Sequence, residues 1–131
     1  MTPQAVFNKV VNGLRKQGRK SVSETEIVNG KPACMYRGDN KTRCAVGQLI
    51  RNSEYKPWME HSAFSFLLSQ DCPQDCPHIC PKSLKARLRP HTDLISALQA
   101  VHDNADVAEW EVEFKQTASR YDLVYTPPKT K

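Results

Sequence analysis

Apolar residues recur along this chain with shifting periods. Between Thr2 and Gln17 they fall at Phe7, Val10, Val11 and Leu14, one stripe of a 3.6-residue period. Thr2 is suited to cap such a helix and Pro3 to its first position, so the spacing predicts a helix over 2–17, stopped by Gly18. Residues 21–33 mix the β-branched Val22, Thr25, Ile27 and Val28 with polar neighbours around Asn29-Gly30, which predicts a strand and tight turn. Cys34 to Gly38, the polar turn 39–42 and the apolar segment 43–50 read as strand, turn and second segment, placing Cys34 near Cys44 across a hairpin.

Further on, Pro57 interrupts any helix begun at Ser53, so 52–60 is expected as a loop carrying Tyr55 and Trp58 onto the core, before a short helix around 61–69. Residues 72–83 repeat Cys-Pro every four positions, which excludes a regular helix and predicts a turn-rich loop. A short helix from Ser83 ends before Pro90. Leu94, Ile95, Leu98 and Val101 then mark a helix capped by Thr92 or Asp93 and ending at Asp103-Asn104. Asp106 and Glu109 resemble a capping box ahead of a last helix, whose stripe is Trp110, Phe114, Ala118 and Tyr121. The expected fold is α+β and mostly α, with three or four helices packed around a small β-hairpin at about 22–50. It forms a single domain over 1–126 with a frayed tail over 127–131.

Composition narrows the class. The 131 residues, 39% hydrophobic, suffice for one domain and exclude two. Apolar runs such as Phe66, Leu67 and Leu68 fall far short of the roughly 20 residues that span a bilayer. The interleaved first twenty residues contain no secretory apolar run. A reducing cytoplasm is therefore expected, and five cysteines there read as free thiols or metal ligands. The net charge of +5 divides into +5 over residues 1–20, +4 over 82–89 and −5 over 93–122. Arg15, Lys16, Arg19 and Lys20, with Lys82, Lys85, Arg87 and Arg89, are candidates to meet an acidic partner or phosphates. The anionic last third speaks against a duplex-reading protein.

Three soft thiolates and an imidazole at Cys72, Cys76, His78 and Cys80 match the donors of tetrahedral zinc, although the ligands crowd into one string; the bland alternative is a variable loop with free thiols. Cys34 or Cys44 with His102 and Asp103 contains the groups of an activated thiol, yet nothing in the sequence brings them together, and a structural pair of buried thiols explains them more simply. His102 itself is expected to end a helix facing its last carbonyls. Phosphate-loop, dinucleotide and zincin motifs are absent, and nothing argues for an enzyme.

The block Cys34-x-Tyr36-Arg37-Gly38 followed by Cys44-Ala45-Val46-Gly47-x-Leu49-Ile50, with Tyr55 after it, resembles an uncharacterised family of small proteins encoded by bacteriophages and prophages. Phe7-x-x-Val10, the stretch Leu98-Gln99-x-Val101-His102-Asp103, and Trp110 match as well; the Cys-Pro repeat departs from the pattern, as does Gln48, where a cysteine is common. The resemblance implies a phage accessory protein of the host cytoplasm and supplies no catalytic residues. Cys34, Tyr36, Arg37, Gly38, Cys44 and Gly47 are the expected structural heart. Two functions follow as expectations: a non-enzymatic protein that binds a host protein, in defence or transcription, to inhibit or redirect it; or a zinc-stabilised nucleic-acid binder using the basic segments 9–20 and 82–89.

Overall fold

The computed structural model describes residues 1–28, 30–61, 64 and 81–128. Helix α1 (Pro3–Gln17) starts where Thr2 Oγ1 accepts the Ala5 N–H at 3.1 Å and ends at Gly18, whose φ of 70° lets its N–H reach the Leu14 carbonyl. Strands β1 (Val22–Val28) and β2 (Lys31–Cys34) form a two-stranded antiparallel sheet, with Val22 opposite Cys34, Val28 opposite Lys31 and a bulge between Ser23 and Ile27. The short α2 (Lys82–Leu88), α3 (Thr92–Asn104) and α4 (Trp110–Arg120) complete the described elements, joined by single 3₁₀ turns. The protein is thus mostly helical, its described residues forming three longer helices and a short one with a two-stranded sheet in one compact body.

The core collects the predicted stripes. Val6, Phe7, Val10, Val11 and Leu14 of α1 meet Leu94, Ile95, Leu98 and Val101 of α3 and Trp110, Phe114 and Ala118 of α4, all buried. Tyr55, Trp58 and Tyr121 pack against this cluster. Residues 123–126 return along α1: the Val124 N–H donates to Gln4 Oε1 at 2.8 Å and its carbonyl accepts from Gln4 Nε2 at 3.0 Å.

Several local expectations are corrected. The hairpin closes at Cys34, and 43–50, open in the sequence to a strand or a first helical turn, form turns outside it, with Cys44, Ala45, Val46, Leu49 and Ile50 all buried. A strand there would alternate its side chains between two faces, whereas successive turns direct all five into one core. Thr92 lies inside α3, its hydroxyl donating to the Arg89 carbonyl at 2.8 Å, because the chain enters α3 directly from a 3₁₀ turn and needs no cap residue. Asp106 makes no side-chain cap, for the same reason: a 3₁₀ turn at Val107–Glu109 leads into α4. His102 turns inward instead of facing the helix end. The helix expected at 61–69 and the Cys-Pro repeat up to residue 80 lie outside the described residues, apart from the end of a 3₁₀ turn at residue 61 and the buried Phe64; the last two residues of the repeat, Lys82 and Ser83, open α2 instead of continuing a loop. Among the described residues, no helix is long and apolar enough to cross a membrane.

Candidate functional site

The last turn of α3 brings the adjacent His102 and Asp103 to Cys34 at the end of β2, 68 and 69 residues earlier in the chain. The helical period that buries Leu98 and Val101 also buries His102 completely. Its Nε2 accepts the Ser21 N–H at 2.9 Å, and its Nδ1 stands 2.9 Å from Asp103 Oδ1. A backbone amide can only donate, so the imidazole proton sits on Nδ1 and is donated to Asp103. The same carboxylate accepts from Gln99 Nε2 at 2.8 Å and from the Cys34 thiol, while Gln99 Oε1 accepts the Val46 N–H at 2.9 Å. Trp110 stacks on the His102 ring with centroids 5.8 Å apart. One connected network therefore ties α3 to the hairpin and to the 44–50 turns.

Its chemistry follows from the same contacts. Burial, then the charge and hydrogen bond of Asp103, push the Cys34 thiol up to about 11. Burial pushes Cys44 up to about 12. Burial opposes ionisation of Asp103, but the hydrogen bonds from His102, Cys34 and Gln99 win and hold its carboxyl below the ordinary range. Both described thiols are thus protonated at neutral pH, and His102 has no free nitrogen with which to take a proton from either.

Cys34, His102 and Asp103 also offer one metal-ligating atom each, all within 4.8 Å of one another. Thiolate, imidazole and carboxylate are donor types that zinc accepts. Coordination through Nδ1 would move the imidazole proton to Nε2, where it would face the Ser21 N–H, donor against donor. In the arrangement described here His102 has no lone pair to give a metal.

Beside this network a cavity of about 280 Å³ is lined by Cys34, Tyr36, Cys44, Glu60, Gln99 and Asp103, among others. Glu60 accepts the Tyr36 N–H at 2.8 Å, the Arg37 N–H at 3.0 Å and the Tyr55 hydroxyl at 2.6 Å. Burial and the Glu60 carboxylate raise the Tyr55 phenol well above its usual value. The Arg37 guanidinium lies 4.6 Å from the centre of the Tyr55 ring and donates to the Ile50 carbonyl at 3.1 Å. A Cβ on Gly38 would stand 2.7 Å from Ser21 Oγ and the Val22 backbone, and one on Gly47 would collide with the Tyr36 carbonyl. Glycine at both positions is a packing requirement.

The predicted cations separate into groups. Arg15 is spent on Glu111, with Nε–Oε2 at 2.9 Å and Nη2–Oε1 at 2.7 Å, and also donates to the Thr126 carbonyl. Arg87 grips Glu54 at 2.7 and 2.8 Å and the Leu49 carbonyl at 2.7 Å. Lys20 reaches the Asp103 carbonyl at 3.3 Å. Lys85 is half-buried and Arg89 exposed, and both take part in interactions; Lys16, Arg19 and Lys82 are exposed. The candidate zinc ligands Cys72, Cys76, His78 and Cys80 lie outside the described residues.

Sequence reading missed an edge that packing assembles. Gln17 accepts the Arg43 N–H at 2.7 Å and donates to its carbonyl at 3.0 Å, and Arg43 Nη2 bonds Asn52 Oδ1 at 3.0 Å. These neutral partners hold Arg43 beside Arg19 at the cationic end of α1, and Gln17 also donates to the Arg19 carbonyl at 2.6 Å. The nearby Arg43 charge, after burial, lowers the Arg37 guanidinium from its usual value. On the acidic third of the chain, α3 and α4 enclose a groove of about 530 Å³ walled by Asp106, Glu109 and Glu113. The doubled charge in the 41–43 turn was the only sequence signal for the first feature. For the second it was the acid count. Comparison with known protein families, with curated proteins and with solved structures finds no match to this chain.

Proposed function

We propose that this chain is a non-enzymatic accessory protein of bacteriophage origin that binds a host protein in the cytoplasm and inhibits or redirects it. The observation that carries this reading is the contrast between interior and surface. The thiols of buried Cys44 and exposed Cys34 are held protonated, and the buried His102 ring is fully hydrogen-bonded. The surface carries two charged features, the basic edge where Arg43 meets the Arg19 end of α1 and the acid-walled groove between α3 and α4. Oppositely charged patches of this kind speed encounter and select partners by complementarity. A defence or transcription factor is the class of target the phage resemblance suggests.

The alternative, a zinc-stabilised nucleic-acid binder, draws less support: Arg15 and Arg87, one from each basic segment, are committed to carboxylates, and the acidic groove would repel a polyanion. The test is affinity capture of the tagged protein from bacterial lysate, with cross-linking and mass spectrometry. One host protein in stoichiometric amount is expected, lost when Arg19 and Arg43 or Glu109 and Glu113 are reversed in charge. Recovery of no such partner overturns the reading. Co-purified nucleic acid released steeply by salt would favour the alternative.

A further inference from the structure

The acid-walled groove differs from the basic edge in being concave with an apolar floor, and that difference selects the partner. Its floor is Ala97, Ala100, Val101 and Ala105, small side chains that let a second backbone approach closely. Its walls carry Asp106, Glu109 and Glu113, against which the only cation in the lining is Arg120 at the far end. Asp106 and Glu109 are exposed, and among the described residues no salt bridge reaches Asp106, Glu109 or Glu113. By contrast Glu111, on the opposite side of the same helix, is saturated by Arg15 and by the Tyr125 hydroxyl at 2.8 Å.

We propose that this groove seats an amphipathic, lysine- and arginine-bearing segment of the partner protein, of the kind that proteins use to contact nucleic acid. The segment lays its apolar side on the alanine floor and its cations against Asp106, Glu109 and Glu113. Occupation would mask the partner's basic surface and so inhibit it. The inference rests on the protein-binding reading above and names the chemistry of the partner. Charge complementarity picks a cationic occupant over an acidic one, and the small floor picks a segment over a flat protein surface.

The test uses the whole protein, labelled with nitrogen-15, and a synthetic amphipathic peptide of leucine and lysine, beside the same peptide with glutamate for lysine. The lysine peptide is expected to shift the amide signals of residues 97–120, with an affinity that falls as salt rises, and the glutamate peptide to leave them unmoved. Reversing Glu109 and Glu113 to lysine is expected to weaken binding by about tenfold or more. Ala100→Arg, an exposed position whose side chain would fill the groove without touching the core, gives the same loss if the paired reversal disturbs folding. Equal binding of both peptides, shifts that map elsewhere, or binding unchanged in the variants overturns the proposal. In lysate capture, a host partner retained by Ala100→Arg sinks the groove while leaving the protein-binding reading intact. Capture of no partner by the natural protein sinks that reading, and the peptide titration still decides the groove.

Discussion

Cys34 is partly open to solvent, yet burial of its thiol and then the neighbouring Asp103 carboxylate both oppose a thiolate there. With the thiol at about 11 against an ordinary 9.0, its thiolate population at pH 8 is lower by about a hundredfold. Peptide-resolved alkylation with iodoacetamide should find it correspondingly slow, and Asp103→Asn should speed it. A rate equal to that of a free cysteine would remove the argument against thiol chemistry. Gly47 makes a different kind of demand, since any side chain there meets the Tyr36 backbone. Gly47→Ala should cost about 1–3 kcal/mol, read from a urea melt. The glycine and its spacing from Cys44 are visible in the sequence. The Tyr36 carbonyl that makes them necessary is not, because it arrives from another turn of the chain.

Elements are held by single polar anchors as much as by the core. Glu54, 3% exposed, gathers both Nη atoms of Arg87, the Ser83 hydroxyl and the Arg51 N–H, so that α2 is clamped to the loop after Ile50. The Arg87 hydrogen bonds, against the opposing effect of burial, hold the Glu54 carboxyl down at about 2. A depressed carboxyl stabilises the fold above its unfolded value of 4.5, and that contribution, on the order of 3 kcal/mol, is lost as the pH falls toward about 2. Arg87→Ala leaves Glu54 buried without its partner and should cost about 3–5 kcal/mol at pH 7, with the loss shrinking at low pH where Glu54 is protonated. A loss that stays constant between pH 7 and pH 3 would contradict the clamp. The α2 helix itself was legible from Ser83 to the residue before Pro90, but Arg87 read there as a surface cation. Its charge was evident in the sequence, whereas the carboxylate that consumes it lies 33 residues away.

At the scale of the whole molecule, residues 123–126 close the body by crossing α1 and α4. Leu123 and Tyr125 pack against the core, and Arg15 links Glu111 to the Thr126 carbonyl. A chain ending at Asp122 should lose about 2 kcal/mol, with faster amide exchange in α1; an unchanged urea midpoint would show that the closing segment is dispensable. By itself the sequence determined the helices α1, α3 and α4 and their buried stripes, the turn-linked strands, and the separation of charge, because periodicity and charge order are properties of neighbouring residues. Only the tertiary structure decided which polar groups are consumed. Ser21 meets His102 across 81 residues and Arg15 meets Glu111 across 96. Such pairings depend on how helices pack, and no local spacing encodes them. That packing made the Cys34, His102 and Asp103 cluster a structural tie, and it left the acid-walled groove open at the surface.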